Sequence, residues 1–149
     1  MNSAGSSATR SVVIEKEFAY PPEKVWRALT EGDLIAQWLM ENDFKPVVGH
    51  RFQLRSTPVP NWNGLIDGEV VIAEPYERLV YSWGALGLES AVAWTLTPTV
   101  RGTLLRMEHS GFREDQEAAY KGAGYGWQRF IGGLERVVGE IAKEGHHEG

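Results

Sequence analysis

The sequence contains no cysteine. That excludes disulfide staples, thiolate metal sites and cysteine nucleophiles together. It fits a reducing compartment, so a cytoplasmic location is the expectation. Basic excess is also missing, because 15 Lys+Arg stand against 20 Asp+Glu for a net charge of -5. Nucleic-acid binders carry a basic excess or stripe, so no nucleic-acid partner is expected. No apolar run approaches the roughly 20 residues that span a bilayer, so no membrane partner is expected either. There is no P-loop, no Gly-x-Ser-x-Gly elbow and no His-Glu-x-x-His motif. Gly122-Ala123-Gly124-Tyr125-Gly126-Trp127 lacks the third glycine spacing of a dinucleotide loop and falls inside a helical pattern. His146-His147-Glu148 lies in a polar terminal stretch that fixes no metal geometry. The expectation is therefore no cofactor and no metal site.

What is present is a chain of 149 residues, 42% hydrophobic and 23% charged. A domain of this length buries roughly 70% of the surface its unfolded chain exposes, so it needs no staple. Residues 1–10 read as a flexible N-terminal tail, 11–144 as one domain, and 145–149 as a flexible C-terminal tail. Val12, Ile14 and Phe18 share one parity, which predicts a strand from Val12 to Phe18. Pro22 opens a short helix to about Leu29, and a second short helix carries Leu34, Ile35, Trp38 and Leu39. Alternation predicts five further strands over Arg51–Arg55, Leu65–Ala73, Arg78–Trp83, Ala91–Thr97 and Thr103–Ser110, with turns at Gly84–Gly87 and Pro98–Gly102. From Asp115 to Lys143, Tyr120, Ala123, Trp127, Ile131, Leu134, Val138 and Ile141 recur at steps of three and four, which is one helical face. Six glycines interrupt this stretch, each costing roughly 1 kcal/mol against Ala in a helix interior. They point to close approach of another element, to a segment loose enough to open, or to a weak helix. The order predicts an α+β fold of one antiparallel sheet with a long helix across it.

Particular residues sit on this order. They are Pro22-x-x-Val25-Trp26-x-x-Leu29-Thr30, Trp38, Gly68-x-Val70 and Pro75-x-x-x-Leu79-x-Tyr81-x-Trp83. Leu96-Thr97-Pro98, Thr103-x-Leu105-x-Met107-x-His109-Ser110-Gly111-Phe112 and Gly126-Trp127 complete the set. As an ordered set spanning Val12 to Val138, they resemble the Activator-of-Hsp90-ATPase-like family of the START (SRPBCC, birch-pollen-allergen-like) superfamily. The resemblance implies a helix-grip fold, in which a curved antiparallel sheet wraps the C-terminal helix around a cavity. The superfamily includes chaperone-associated domains, polyketide cyclase-like enzymes, and lipid and hormone binders. Fold alone does not choose among them. The eukaryotic chaperone activator binds its chaperone through a separate N-terminal domain, and only residues 1–10 precede the fold here, which weakens a chaperone interaction as the expectation.

The candidate ligand-binding residues are the inward-facing set Trp38, Phe52, Leu54, Tyr81, Trp83, Trp94, Met107, His109, Trp127 and Ile131. Ligand pockets are lined by such groups, but so are ordinary cores. The two readings differ in whether an empty volume remains between the rings. The expectation is that Trp83, Trp94 and Trp127 line a common pocket with His109 among its few polar groups. No carboxylate pairs with His109, since Glu108 should face the other way, and no catalytic residue is assigned. Three readings remain. The first is binding of a small hydrophobic or amphipathic molecule between sheet and helix. The second is a cyclase- or hydrolase-like enzyme using His109 as acid or base in the same cavity. The third is a protein-interaction domain, with a chaperone or regulator on the outer sheet face. Monomer and homodimer both remain open.

Overall fold

The computed structural model describes residues 9–85 and 87–148. Most of the tail expected at residues 1–10 lies outside these, and the first strand already begins at Arg10. The elements run β1 (Arg10–Phe18), α1 (Pro22–Thr30), α2 (Gly32–Trp38), β2 (Glu41–Asn42), β3 (Arg51–Arg55), β4 (Leu65–Glu74), β5 (Arg78–Ala85), β6 (Leu88–Pro98), β7 (Thr103–Phe112) and α3 (Glu117–Glu148). A 3-10 turn, Glu114–Gln116, leads into α3. The strands form one antiparallel sheet in the order β1-β7-β6-β5-β4-β3-β2. This is the helix-grip arrangement, with two short helices after the first strand.

Several expected boundaries move. The expected turn at Gly84–Gly87 is shorter, because β5 pairs through Ala85 with Leu88. Strand β6 begins at Leu88, not Ala91, and β7 continues to Phe112, not Ser110. The short β2 pairs with β3 and was not expected. Helix α3 starts two residues later than predicted and continues to Glu148, through the stretch expected to be a tail.

Proline at the first position of α1 costs nothing, because its missing N–H is an orphan there anyway. Val25, Trp26 and Leu29 turn inward from α1 and are buried. The indole of Trp38 donates to the Ala28 carbonyl at 2.8 Å, which clamps α2 onto α1. Strand parity sets the inner face of the sheet. Phe52 and Leu54, Leu79, Tyr81 and Trp83, Val92, Trp94 and Leu96, and Leu105, Met107 and His109 are all buried on it.

Glycines divide by surroundings. A Cβ on Gly102 would stand 2.4 Å from the Phe18 carbonyl oxygen and 2.5 Å from the Tyr20 nitrogen. That close approach seats the β6–β7 turn on the chain leaving β1, where the Thr103 hydroxyl also donates to the Tyr20 carbonyl at 2.7 Å. Within α3, Gly133 and Gly139 pack against Trp38 and Tyr20, whereas Gly122, Gly124 and Gly132 face open space.

The two classes should respond oppositely to alanine. Gly102→Ala should cost about 2–3 kcal/mol, because rigid backbone must shift. Gly132→Ala should stabilise by about 0.5–1 kcal/mol. Urea denaturation of the two variants checks both signs.

Candidate functional site

The ten sequence-predicted residues are all nine-tenths or more buried, and they fall into two adjoining groups. Trp38, Phe52, Leu54 and Tyr81 form one, joined by Phe44, which packs edge-on to Phe52 at 4.9 Å and Tyr81 at 5.7 Å between ring centroids. Trp83, Trp94, Met107, His109 and Trp127 form the other, with Ile131 one turn further along α3. Trp94 joins the groups. Its ring meets Trp38 edge-on at 5.8 Å and Trp127 at 5.6 Å, and its indole donates to the Tyr81 hydroxyl at 2.9 Å.

Inward placement of these side chains agrees with expectation, but the volume between them does not. The large common pocket expected among Trp83, Trp94 and Trp127 is filled by their own rings, with Trp83 and Trp127 at 5.3 Å between centroids. A small void of about 10 Å³ lies between the layers, lined by Leu29, Ile35, Trp38, Phe44, Leu54 and Tyr81 among others. That is room for about one water molecule. The rings leave no more because they meet tilted and edge-on, an arrangement that interlocks large aromatics and is favoured by their quadrupoles.

His109 is the polar centre of the second group. Trp127 Nε1–H donates to His109 Nδ1 at 2.9 Å. An indole N–H can only donate, so Nδ1 carries a lone pair and the ring proton sits on Nε2. His109 Nε2 lies 2.8 Å from Ser90 Oγ, and Ser90 Oγ donates to the Trp83 carbonyl at 2.7 Å. The donors therefore run in one direction, from α3 through β7 and β6 to β5. Ser90 gives its proton to a carbonyl and not to the imidazole, so the pair is not a primed nucleophile and base. Glu108 faces outward and takes Arg106 at 2.9 Å. Burial pushes the His109 pKa down to about 4. Tyr81 is likewise held neutral, its pKa raised well above the ordinary value by burial.

Three contributors escape the sequence pattern. Ser90 has the inward parity of Val92 and Trp94 but precedes the strand as first bounded. Phe112 reaches the His109 ring at 4.7 Å only because Gly111, at φ +110°, forms a bulge that shifts the alternation. Phe44 lies in a loop, where no period applies.

The surroundings are uneven. On one side an open depression of about 460 Å³ reaches Trp83 and Ser90, flanked by Asp67, Glu89, Ser110 and Gly111. On the other, no side chain of residues 117–126 of α3 is fully buried, though Tyr120 and Ala123 pack partly against the core, and Trp127 is the first to be fully buried. Tyr120 against Phe112 and the Arg10–Glu117 ion pair hold that segment. Among the described residues no His/Asp/Glu group could hold a metal, and no helix is long and apolar enough to cross a membrane. The side chains of His146, His147 and Glu148 lie outside the description.

The buried neutral His109 makes stability depend on pH. Its pKa is about 4 when folded and near 6.5 when unfolded. Between these values the unfolded chain binds the extra proton, so stability falls as pH drops through that window and is fully present above it. The loss attributable to this group is about 3 kcal/mol. His109→Gln should be less stable at pH 7.5 but should lose correspondingly less between pH 7 and 4, as read by urea midpoints across pH.

Protein MLL2253 from Mesorhizobium loti is 49% identical, with a TM-score of 0.83 over 88% of this chain and 98% of that one. CalU16 from Micromonospora echinospora is 27% identical, with a TM-score of 0.74 over 91% and 80%. DynU16, from the dynemicin biosynthetic locus, is 27% identical, with a TM-score of 0.73 over 86% of this chain and 46% of that one. No functionally curated protein gives a significant match. The model of the Activator of Hsp90 ATPase homolog 1-like proteins matches residues 19–139, from the end of β1 to the last turns of α3, and the chain belongs to that family.

Proposed function

We propose that the domain binds a small hydrophobic or amphipathic molecule between the sheet and the first third of α3. The observation that carries this is the pairing of a poorly anchored helix start with the aromatic wall beside it. No side chain of residues 117–126 is fully buried, and only Tyr120 and Ala123 pack partly against the core, yet the next residue, Trp127, is locked into Trp83, Trp94 and His109. Gly122 and Gly124 face open space, so neither close packing nor a tight turn explains them. Unwinding this segment gives up little packing and exposes Phe112, His109 and Trp127. The space is filled at rest, so a ligand would select the opened state and its apparent affinity would fall with that state's population. Apolar burial at roughly 25 cal/mol per Å² supplies the driving force. The indole N–H of Trp127 and the hydroxyl of Ser90 are the polar groups able to orient an amphipathic ligand. Likeness to a protein of the dynemicin biosynthetic locus fits a small-molecule partner.

The binding reading stands ahead of the cyclase- or hydrolase-like one because, among the described residues, His109 has no second titratable group within hydrogen-bond reach. Its two ring nitrogens are taken by Trp127 and Ser90.

Native mass spectrometry of the purified protein should show a co-purified small molecule, or tryptophan emission should shift on titration with anilinonaphthalene sulfonate or medium-chain fatty acids. Gly122→Ala/Gly124→Ala should weaken the apparent affinity about tenfold, since each alanine resists unwinding by about 0.8 kcal/mol. No bound molecule and no emission change with any of these probes would contradict the proposal. An affinity unchanged in the double variant would place the opening elsewhere.

A further inference from the structure

A second groove lies at the opposite end of the β5–β6 pair from Ser90, and the small-molecule reading does not use it. Its volume is about 620 Å³. Its walls come from the start of α1 (Pro22, Glu23), the β4–β5 turn (Tyr76, Glu77) and the end of β6 (Leu96, Pro98). No lysine or arginine lines it.

Tyr76 is the unusual member. Its φ is +70°, and among the described residues it alone is a non-glycine with positive φ. It follows Pro75 as the second central residue of a tight turn closed by Glu77 N–H to the Glu74 carbonyl at 3.0 Å. Positive φ there selects glycine or asparagine, and a bulky side chain is an outlier costing about 1–2 kcal/mol. The fold recovers little in return. The ring meets Trp26 edge-on at 6.3 Å and remains 49% exposed on the rim of the groove. Strain of this kind, kept at an exposed site, is characteristic of ligand clamps.

The wall chemistry narrows the occupant. The groove is open to solvent, with apolar proline and aromatic surfaces, and so suits a surface-docked chain better than a small molecule that needs enclosure. Its backbone is already paired, since Leu96 N–H donates to the Glu77 carbonyl at 2.9 Å, so an added β-strand gains little there. A polyproline II segment needs no such pairing and loses little entropy on docking against aromatic and proline ridges. Glu23 and Glu77, with no basic residue beside them in the lining, favour a cation. We propose that this groove docks an extended, proline-containing segment of a partner protein that carries a lysine or arginine, with Tyr76 as the platform and Glu23 and Glu77 as the charge partners.

The test is an array of random ten-residue peptides probed with the labelled full chain. Captured sequences should be enriched in proline and in lysine or arginine. Tyr76→Asn tolerates positive φ, so its thermal midpoint should equal or exceed that of the parent while the enrichment disappears. Glu77→Gln should keep the proline enrichment and lose most of the basic preference. The proposal fails if the parent chain enriches neither feature, if acidic peptides are captured as well as basic ones, or if Tyr76→Asn captures the same set. A lower midpoint for Tyr76→Asn would also overturn it, because the ring would then serve the fold through Trp26.

Discussion

The hydrogen bond from the Trp127 indole to His109 Nδ1 is the contact on which the rest of the arrangement depends. It joins α3 to β7 of the sheet, and it can form only if the imidazole is neutral and its proton is on Nε2. That proton then points at Ser90, and Ser90 in turn at the Trp83 carbonyl. One tautomer thus orders four elements. Because the chain of donors is satisfied inside a wall of aromatic rings, the polar atoms cost little to bury. The same arrangement removes His109 from acid–base chemistry near neutral pH.

The strands carrying the inner face are largely legible in the sequence, because alternation over a half-buried sheet is strict. Arg51–Arg55 is bounded correctly by Phe52 and Leu54 alone. Inward placement of Tyr81, Trp83, Trp94, Met107 and His109 follows from the same parity. What alternation misses has a local cause in each case. The Gly111 bulge inserts one residue and turns Phe112 inward, where strict alternation would have placed Gly111. Ser90 precedes Ala91, where the apolar alternation of β6 begins, and Phe44 belongs to no periodic segment. Whether space remains between the rings is not a one-dimensional property at all. The same inward residues describe a pocket or a closed core, and only the tilts of Trp38, Trp94 and Trp127 decide for the closed arrangement.

A closed core and a binding role are compatible when closure is uneven. Beyond Trp127 the helix is fastened by Ile131, Leu134, Val138 and Ile141, all buried. Before it, ten residues carry no fully buried side chain, and Tyr120 and Ala123 alone pack partly against the core. The boundary between the two regimes is Trp127 itself, so whatever loosens the first segment acts directly on the His109 chain. The Tyr76 groove lies at the far end of the sheet and shares no lining residue with the depression at Trp83 and Ser90.

Nitrogen NMR of the histidine side chains addresses the central contact directly. With His109 assigned through His109→Gln, the protein should show one ring with Nδ1 unprotonated and Nε2 carrying the proton, unchanged between roughly pH 5 and 8. An imidazole that titrates near its ordinary value, averages between tautomers, or carries its proton on Nδ1 would contradict the account.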